Sequence, residues 1–150
     1  MQLIIKHFNE LTTQELFKIY QLRTSVFVVE QNCPYQEVDE ADLVSYHVYL
    51  EENDEILAYA RVIPSNITFP TCSIGRVIAK KRRCGLGTKI VKAAIEVAKE
   101  KFQADIITIE AQVYASEMYK KIGFVQTSDV FLEDNIPHIQ MKYDTLKKSL

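Results

Sequence analysis

The stretch best equipped for chemistry is Lys80-Lys81-Arg82-Arg83-Cys84-Gly85-Leu86-Gly87-Thr88. Two glycines one residue apart let backbone N–H groups come close to an anion, and a helix opening there adds a favourable dipole. The cations upstream, Lys80 to Arg83, can neutralise further phosphate charge. The physical reading is a pyrophosphate cradle. A Walker loop ends in Gly-Lys-Ser/Thr, whereas this chain has Gly87-Thr88-Lys89. The dinucleotide fingerprint GxGxxG needs a third glycine where Ile90 stands. The pattern that fits is (Gln/Arg)-x-x-Gly-x-(Gly/Ala), met by Arg82, Gly85 and Gly87. Its bland alternative is a surface turn beside a solvated basic run.

A cradle needs a strand before it and a helix behind it. Residues 72–79 are rich in β-branched side chains and read as the strand. Leu86, Ile90, Val91, Ala94, Val97, Ala98 and Phe102 form one apolar stripe, the mark of an amphipathic helix. Upstream, residues 3–8 are β-prone, and residues 15–27 repeat apolar positions at helical spacing behind a Thr12 or Thr13 cap. Residues 36–42 are acidic and non-periodic, a loop. Residues 47–51 and 56–63 are strands around an Asn53-Asp54 turn. Residues 106–111 form a compact buried strand. Residues 113–122 form a short helix stopped by Gly123, and residues 125–128 and 139–143 are the last strands. The loop between those two strands holds Asp134, Asn135 and Pro137. The order β-α-β-β-β-α-β-α-β-β describes one α/β domain, residues 1–150, with a mixed sheet.

Composition agrees. A chain of 150 residues is one domain's length, and 47% hydrophobic with 25% charged residues is an ordinary globular mix. A net charge of −2 argues against a dedicated nucleic-acid binder. Cys33, Cys72 and Cys84 are odd in number and lack CxxC spacing, so free thiols in a reducing cytosol are expected rather than a disulfide framework or zinc site. No apolar run approaches a membrane span. The expected location is the cytoplasm, with no membrane or nucleic-acid partner.

Residues 110–124, Glu-Ala-Gln-Val-Tyr-Ala-Ser-Glu-Met-Tyr-Lys-Lys-Ile-Gly-Phe, carry a second signature. Here the chain resembles the GNAT superfamily, the GCN5-related N-acetyltransferases that use acetyl-CoA. Residues 118–124 match its Leu/Phe-Tyr-x-x-x-Gly-Phe segment, and Arg82 to Gly87 match its CoA loop. Residues 22–39, Ala58-Tyr59-Ala60-Arg61-Val62, Gly75-Arg76-Val77-Ile78 and Asn135-Ile136-Pro137-His138-Ile139 are similar to the ElaA-type branch. Two departures stand out. The loop before Gly85 is short and has Arg83 where the family often has glycine, and Gln112 stands where many members have Asn.

The resemblance implies a GNAT fold, a mixed and mostly antiparallel sheet flanked by helices. It implies acetyl-CoA as donor and no metal. Val77, Ile78 and Ala79 would hold the pantetheine arm by backbone pairing, with an amide near Ile78 facing the thioester carbonyl. Arg82, Arg83, Cys84, Gly85, Leu86, Gly87, Thr88 and Gln112 would complete the CoA site. Tyr119 matches the usual general acid, although helical spacing alone would make it a packing residue. The amine must lose a proton before it attacks. Glu30, beyond the first helix, is the first candidate base, His47 the second and His138 the third. Glu37, Asp39, Glu40 and Asp42 read as a solvated acidic loop or, more sharply, as a field for a cationic amine. The expected function is acetyl transfer to a primary amine of a small molecule. The alternatives are acyl-homoserine lactone-type synthesis on the same fold, or a CoA-binding module without turnover. Family members are often dimers, so a homodimer is an expectation.

Overall fold

The first helix is set by its own first turn. Thr12 Oγ1 accepts from the Glu15 amide at 3.1 Å, and the Glu15 carboxylate accepts from the Thr12 amide at 2.8 Å. This capping box starts α1 (Thr13–Arg23). Lys6 and the Tyr49 hydroxyl also bind Glu15, which ties the helix start to the first two strands and lowers the carboxyl to about 2. The computed structural model describes residues 1–80 and 84–147.

The strands are β1 (Gln2–His7), β2 (Tyr46–Glu52), β3 (Glu55–Ile63) and β4 (Cys72–Ala79). Then come α2 (Leu86–Phe102), β5 (Ile106–Gln112) and α3 (Ser116–Ile122). The chain closes with β6 (Val125–Gln126), β7 (Phe131–Glu133) and β8 (Ile136–Asp144). The sheet runs β1-β2-β3-β4-β5-β8-β6, with β7 also on β8. Only the β4–β5 pair is parallel among the pairings described. The mixed and mostly antiparallel sheet that the resemblance implies is therefore present.

Each face of the sheet buries a separate core. On one, Ile90, Val91, Ala94 and Ala98 of α2 pack on Val48, Val62, Ile107 and Met141. On the other, Ile19 and Leu22 of α1 pack on Tyr49, Tyr59 and Ile78. Strand alternation sends neighbouring side chains to opposite cores.

Several boundaries differ from the sequence reading. The helix expected over residues 15–27 ends as an α-helix at Arg23 and continues as a π-helix, Thr24–Glu30. Apolar spacing cannot distinguish these windings, and π segments favour functional sites. The helix expected over 113–122 begins with a 3₁₀ turn, Val113–Ala115. The strand expected over 125–128 stops at Gln126. Residues 131–144 form a hairpin that the loop reading missed. Asp134 and Asn135 take φ of 51° and 63°, the left-handed pair of a tight hairpin turn. Pro137 lies in β8 opposite Leu132, rather than in a loop.

Candidate active site

The parallel β4–β5 ladder consists of Cys72↔Ile107 and Ser73↔Thr108. Beyond it both strands continue without pairing to each other, so backbone groups on that side of β4 are available to a ligand. On its other side β4 pairs with β3, and there the register slips. Tyr59 faces Ile78 and Arg61 faces Gly75, so Arg76 and Val77 together oppose Ala60. This is a β-bulge, with Arg76 at φ 52°. It inverts the strand's alternation. Ile74 faces the α2 core, whereas Ile78 faces the α1 core.

The splayed strands open a cleft of about 1590 Å³ that Val77, Ile78 and Ala79 line on the β4 side. Gly85, Leu86, Gly87 and Thr88 continue it at the head of α2. Gly85 precedes the helix at φ 73°, with nothing within 4 Å of where a Cβ would sit. The first turn of α2 leaves amides without helical partners, which suits an anion such as a pyrophosphate. Gly87 has a different task. A Cβ there would lie 2.9 Å from Met118 Sδ, so this glycine lets α3 pack against α2. Leu86 is buried in the core, leaving its backbone for a ligand, and Cys84 is exposed. Arg82 and Arg83 lie outside the described residues.

Tyr119 and Gln112 also line the cleft. The Tyr119 ring packs edge-on against Phe124 at 5.5 Å and is 7% exposed. Its hydroxyl has no hydrogen-bond partner among the described residues and is not sealed from the cleft. Burial pushes its pKa up, so the hydroxyl keeps its proton. The ring is thus a packing residue whose protonated hydroxyl remains a hydrogen-bond donor on the cleft. Glu30 stands at the exposed end of the π-helix and lines the same cleft.

His47 is not on the cleft. It is fully buried, with Nδ1 2.7 Å from the Tyr59 hydroxyl and Nε2 3.1 Å from the Asp42 carbonyl. Burial drives its pKa down to about 4. This corrects its candidacy as a base: it is a neutral structural imidazole. His138 does line the cleft, together with Glu110 and Glu133, which sequence reasoning passed over. Burial and the neighbouring Glu133 raise the Glu110 carboxyl. The alternation Thr108, Glu110, Gln112 against Ile107, Ile109, Ala111 was the available signal, a strand with one polar face.

The acidic loop is neither solvated nor a lure. Arg23 Nε binds Glu37 at 2.8 and 2.9 Å, and its terminal nitrogens bind Asp42 at 2.6 and 3.0 Å. Arg61 Nη1 binds Asp39 at 2.6 Å and Asp42 at 3.0 Å. Arg76 Nε binds Glu37 at 2.9 Å, and its Cζ lies 5.6 Å from the Tyr35 ring centroid. Of the four acids, Glu40 alone is exposed. Three arginines and three carboxylates balance, with Arg23, Arg61, Glu37 and Asp42 buried and Asp39 and Arg76 partly exposed. The network ties α1 and the loop to the bulge of β4, so it fixes one wall of the cleft.

These groups set the acid stability. Hydrogen bonds and charge from Arg61 and Arg23 hold Asp39 and Asp42 below their ordinary range against desolvation. Their contribution is present above the unfolded carboxylate pKa of ~3.9 and is lost as pH falls through the folded values. His47 acts earlier. Its folded pKa of about 4 lies below the unfolded value, so the unfolded state gains protons first as pH drops through ~6.5. Urea midpoints should decline below about pH 6.5 and more steeply below about pH 4. His47→Gln should remove the first decline, and an unchanged curve in that variant would contradict the assignment.

No helix among the described residues is long and apolar enough to cross a membrane. The family described as Acetyltransferase (GNAT) domain matches residues 10–145. A UPF0039 protein of Schizosaccharomyces pombe is 42% identical over 148 residues, 96% of this chain and 97% of that one. Protein ElaA of Escherichia coli is 35% identical over 145 residues, 94% of this chain and 95% of its own. Its crystal structure superposes with a TM-score of 0.89, 34% identity and coverage of 95% and 99%. The crystal structure of an acyl-CoA N-acyltransferase from Pseudomonas aeruginosa gives 0.88, 37% and the same coverage, 95% and 99%. The splayed β4–β5 pair, the glycine-led helix and these likenesses agree: the chain belongs to the GNAT acyltransferase superfamily, in its ElaA-like branch.

Proposed function

We propose that the protein transfers an acetyl group from acetyl-CoA to the primary amine of a small molecule by direct attack. The observation that carries this reading is the unpaired edge of β4 running into the amides of α2. It suits a long donor with an amide-bearing arm and a pyrophosphate. The arm pairs with the backbone of Val77, Ile78 and Ala79. The pyrophosphate meets the amides from Gly85 to Thr88, and Gln112 faces the donor across the gap. A backbone N–H at the bulge stabilises the oxyanion as the carbonyl becomes tetrahedral.

Tyr119 donates a hydrogen bond to the departing sulfur. Because burial raises this hydroxyl above the range of a thiol, it supports the thiolate while the second amine proton reaches sulfur. Glu30, at the rim, meets the incoming ammonium and orients it. The cleft is open enough for acceptor and donor to be held together, which suits direct attack.

Donor binding is tested by thermal melts. Acetyl-CoA at a hundredfold excess over its dissociation constant should add about 2.7 kcal/mol of apparent stability. Gly85→Val forces a branched side chain into φ 73° at the amide cradle and should remove most of that shift. Equal shifts in wild type and variant would place the donor elsewhere.

A further inference from the structure

We propose that His138 accepts the proton of the acceptor amine, with its Nε2 facing the cleft between the carboxylates of Glu133 and Glu110. The assignment rests on the acyl-transfer reading above and names the group that reading leaves open. Three observations carry it.

The first is position. From the last β4–β5 pair, Ser73↔Thr108, Gln112 lies four residues along β5 and Ile78 five along β4. The bulge absorbs one residue, so Ile78 and Gln112 stand level across the gap, about 13 Å beyond that pair. His138 is directly opposite Gln112 in the β5–β8 register. Cross-strand partners share a face, so His138 projects on the same side as Gln112. On β5 and β8 the opposite face is taken by Ile109, Ala111, Ile139 and Met141 in the α2 core. The imidazole therefore sits at the height of the bulge, where the thioester is to lie.

The second is the tautomer. His138 Nδ1 lies 2.6 Å from the Ile136 carbonyl. A carbonyl only accepts, so Nδ1 carries the hydrogen and Nε2 of the neutral ring carries the lone pair. Nε2 has no hydrogen-bond partner among the described residues and is not sealed. The ring is held flat against Phe131, with centroids 6.1 Å apart and planes 21° apart.

The third is charge. Glu133 Oε2 lies 3.8 Å from Nε2, from β7, and Glu110 lines the same cleft from β5. The Glu133 carboxylate is thus placed beside the nitrogen that takes the proton. Glu30 lies on the exposed π-helix end, and Glu37, Asp39 and Asp42 are paired with arginines.

The step balances. An ammonium gives one proton to Nε2, which passes it to solvent. The freed nitrogen pair forms the C–N bond, and the carbonyl π pair moves to oxygen. Collapse breaks the C–S bond, whose pair stays on sulfur. The second nitrogen proton ends on the thiol.

The test is CoA release from acetyl-CoA with a panel of small primary amines, followed against pH in wild type, His138→Asn, Glu133→Gln and Glu30→Gln. Asn retains a donor near the Nδ1 position and lacks Nε2. His138→Asn should lose ~10²-fold in kcat and the acid limb of the profile, with amine KM and the acetyl-CoA melting shift kept. Glu133→Gln should move the acid limb to lower pH, because the imidazolium loses its carboxylate. Glu30→Gln should raise KM and leave the limb in place. An acid limb that stays put in Glu133→Gln, or that moves only in Glu30→Gln, overturns the assignment while transfer itself stands. A wild type that binds acetyl-CoA but releases no CoA with any amine overturns both the assignment and the transfer reading.

Discussion

Arg23→Ala should destabilise the fold by about 3–5 kcal/mol, the cost of leaving buried carboxylates without their cation. The side chain is fully buried and carries two carboxylates, Glu37 at 2.8 Å and Asp42 at 2.6 Å. It also lies 5.1 Å from the Tyr20 ring centroid, so truncation loses packing as well as charge. A loss of this size is a large part of the ~5–15 kcal/mol that holds a typical domain together. Arg23→Lys keeps the charge but not the planar fork that reaches both acids, and should fall between. Urea unfolding measures all three. A loss below about 1 kcal/mol in Arg23→Ala would match a screened surface pair and contradict the buried network.

Tyr119→Phe should leave the melting temperature and the acetyl-CoA shift near wild type while lowering kcat by ~10²-fold or more. The ring's contact with Phe124 is edge-on through carbon, so Phe preserves it. The hydroxyl makes no hydrogen bond to the described residues, so its removal strands no buried partner. Steady-state kinetics beside a thermal melt separate the two readings of this residue. Unchanged turnover would leave Tyr119 as packing alone.

What the sequence made legible was local. The stripe from Leu86 to Phe102 and the glycines before it define α2 by spacing, and β4 emerges with its expected bounds. Gly123 takes φ 128° at the end of α3, where a left-handed stop was expected. What stayed hidden depends on distant partners. Arg23 meets Glu37 across 14 positions, and Arg76 meets Glu37 across 39. No local pattern records such pairings, so the acids looked free. The β4 bulge is likewise a property of register with β3 and leaves no mark in the β4 sequence. The β7–β8 hairpin turns on Asp134-Asn135, a weaker signal than Asn-Gly, and Pro137 argued against a strand. Tyr119, Glu30 and Gln112 line one cleft. His47 does not, because its strand neighbours Val48 and Tyr46 say nothing of the loop that buries it.

In the proposed reaction the cleft between β4 and β5 brings an acyl-CoA thioester to an amine. Its most direct test is to incubate the protein with acetyl-CoA and a panel of small primary amines, measuring free thiol and N-acetylated amine together, with Gly85→Val in parallel. Equal amounts of thiol and acetylated amine are expected for at least one acceptor, with both strongly reduced in the variant at the same acetyl-CoA concentration. Thiol without acetylated amine, or equal transfer by Gly85→Val, would contradict the proposed reaction.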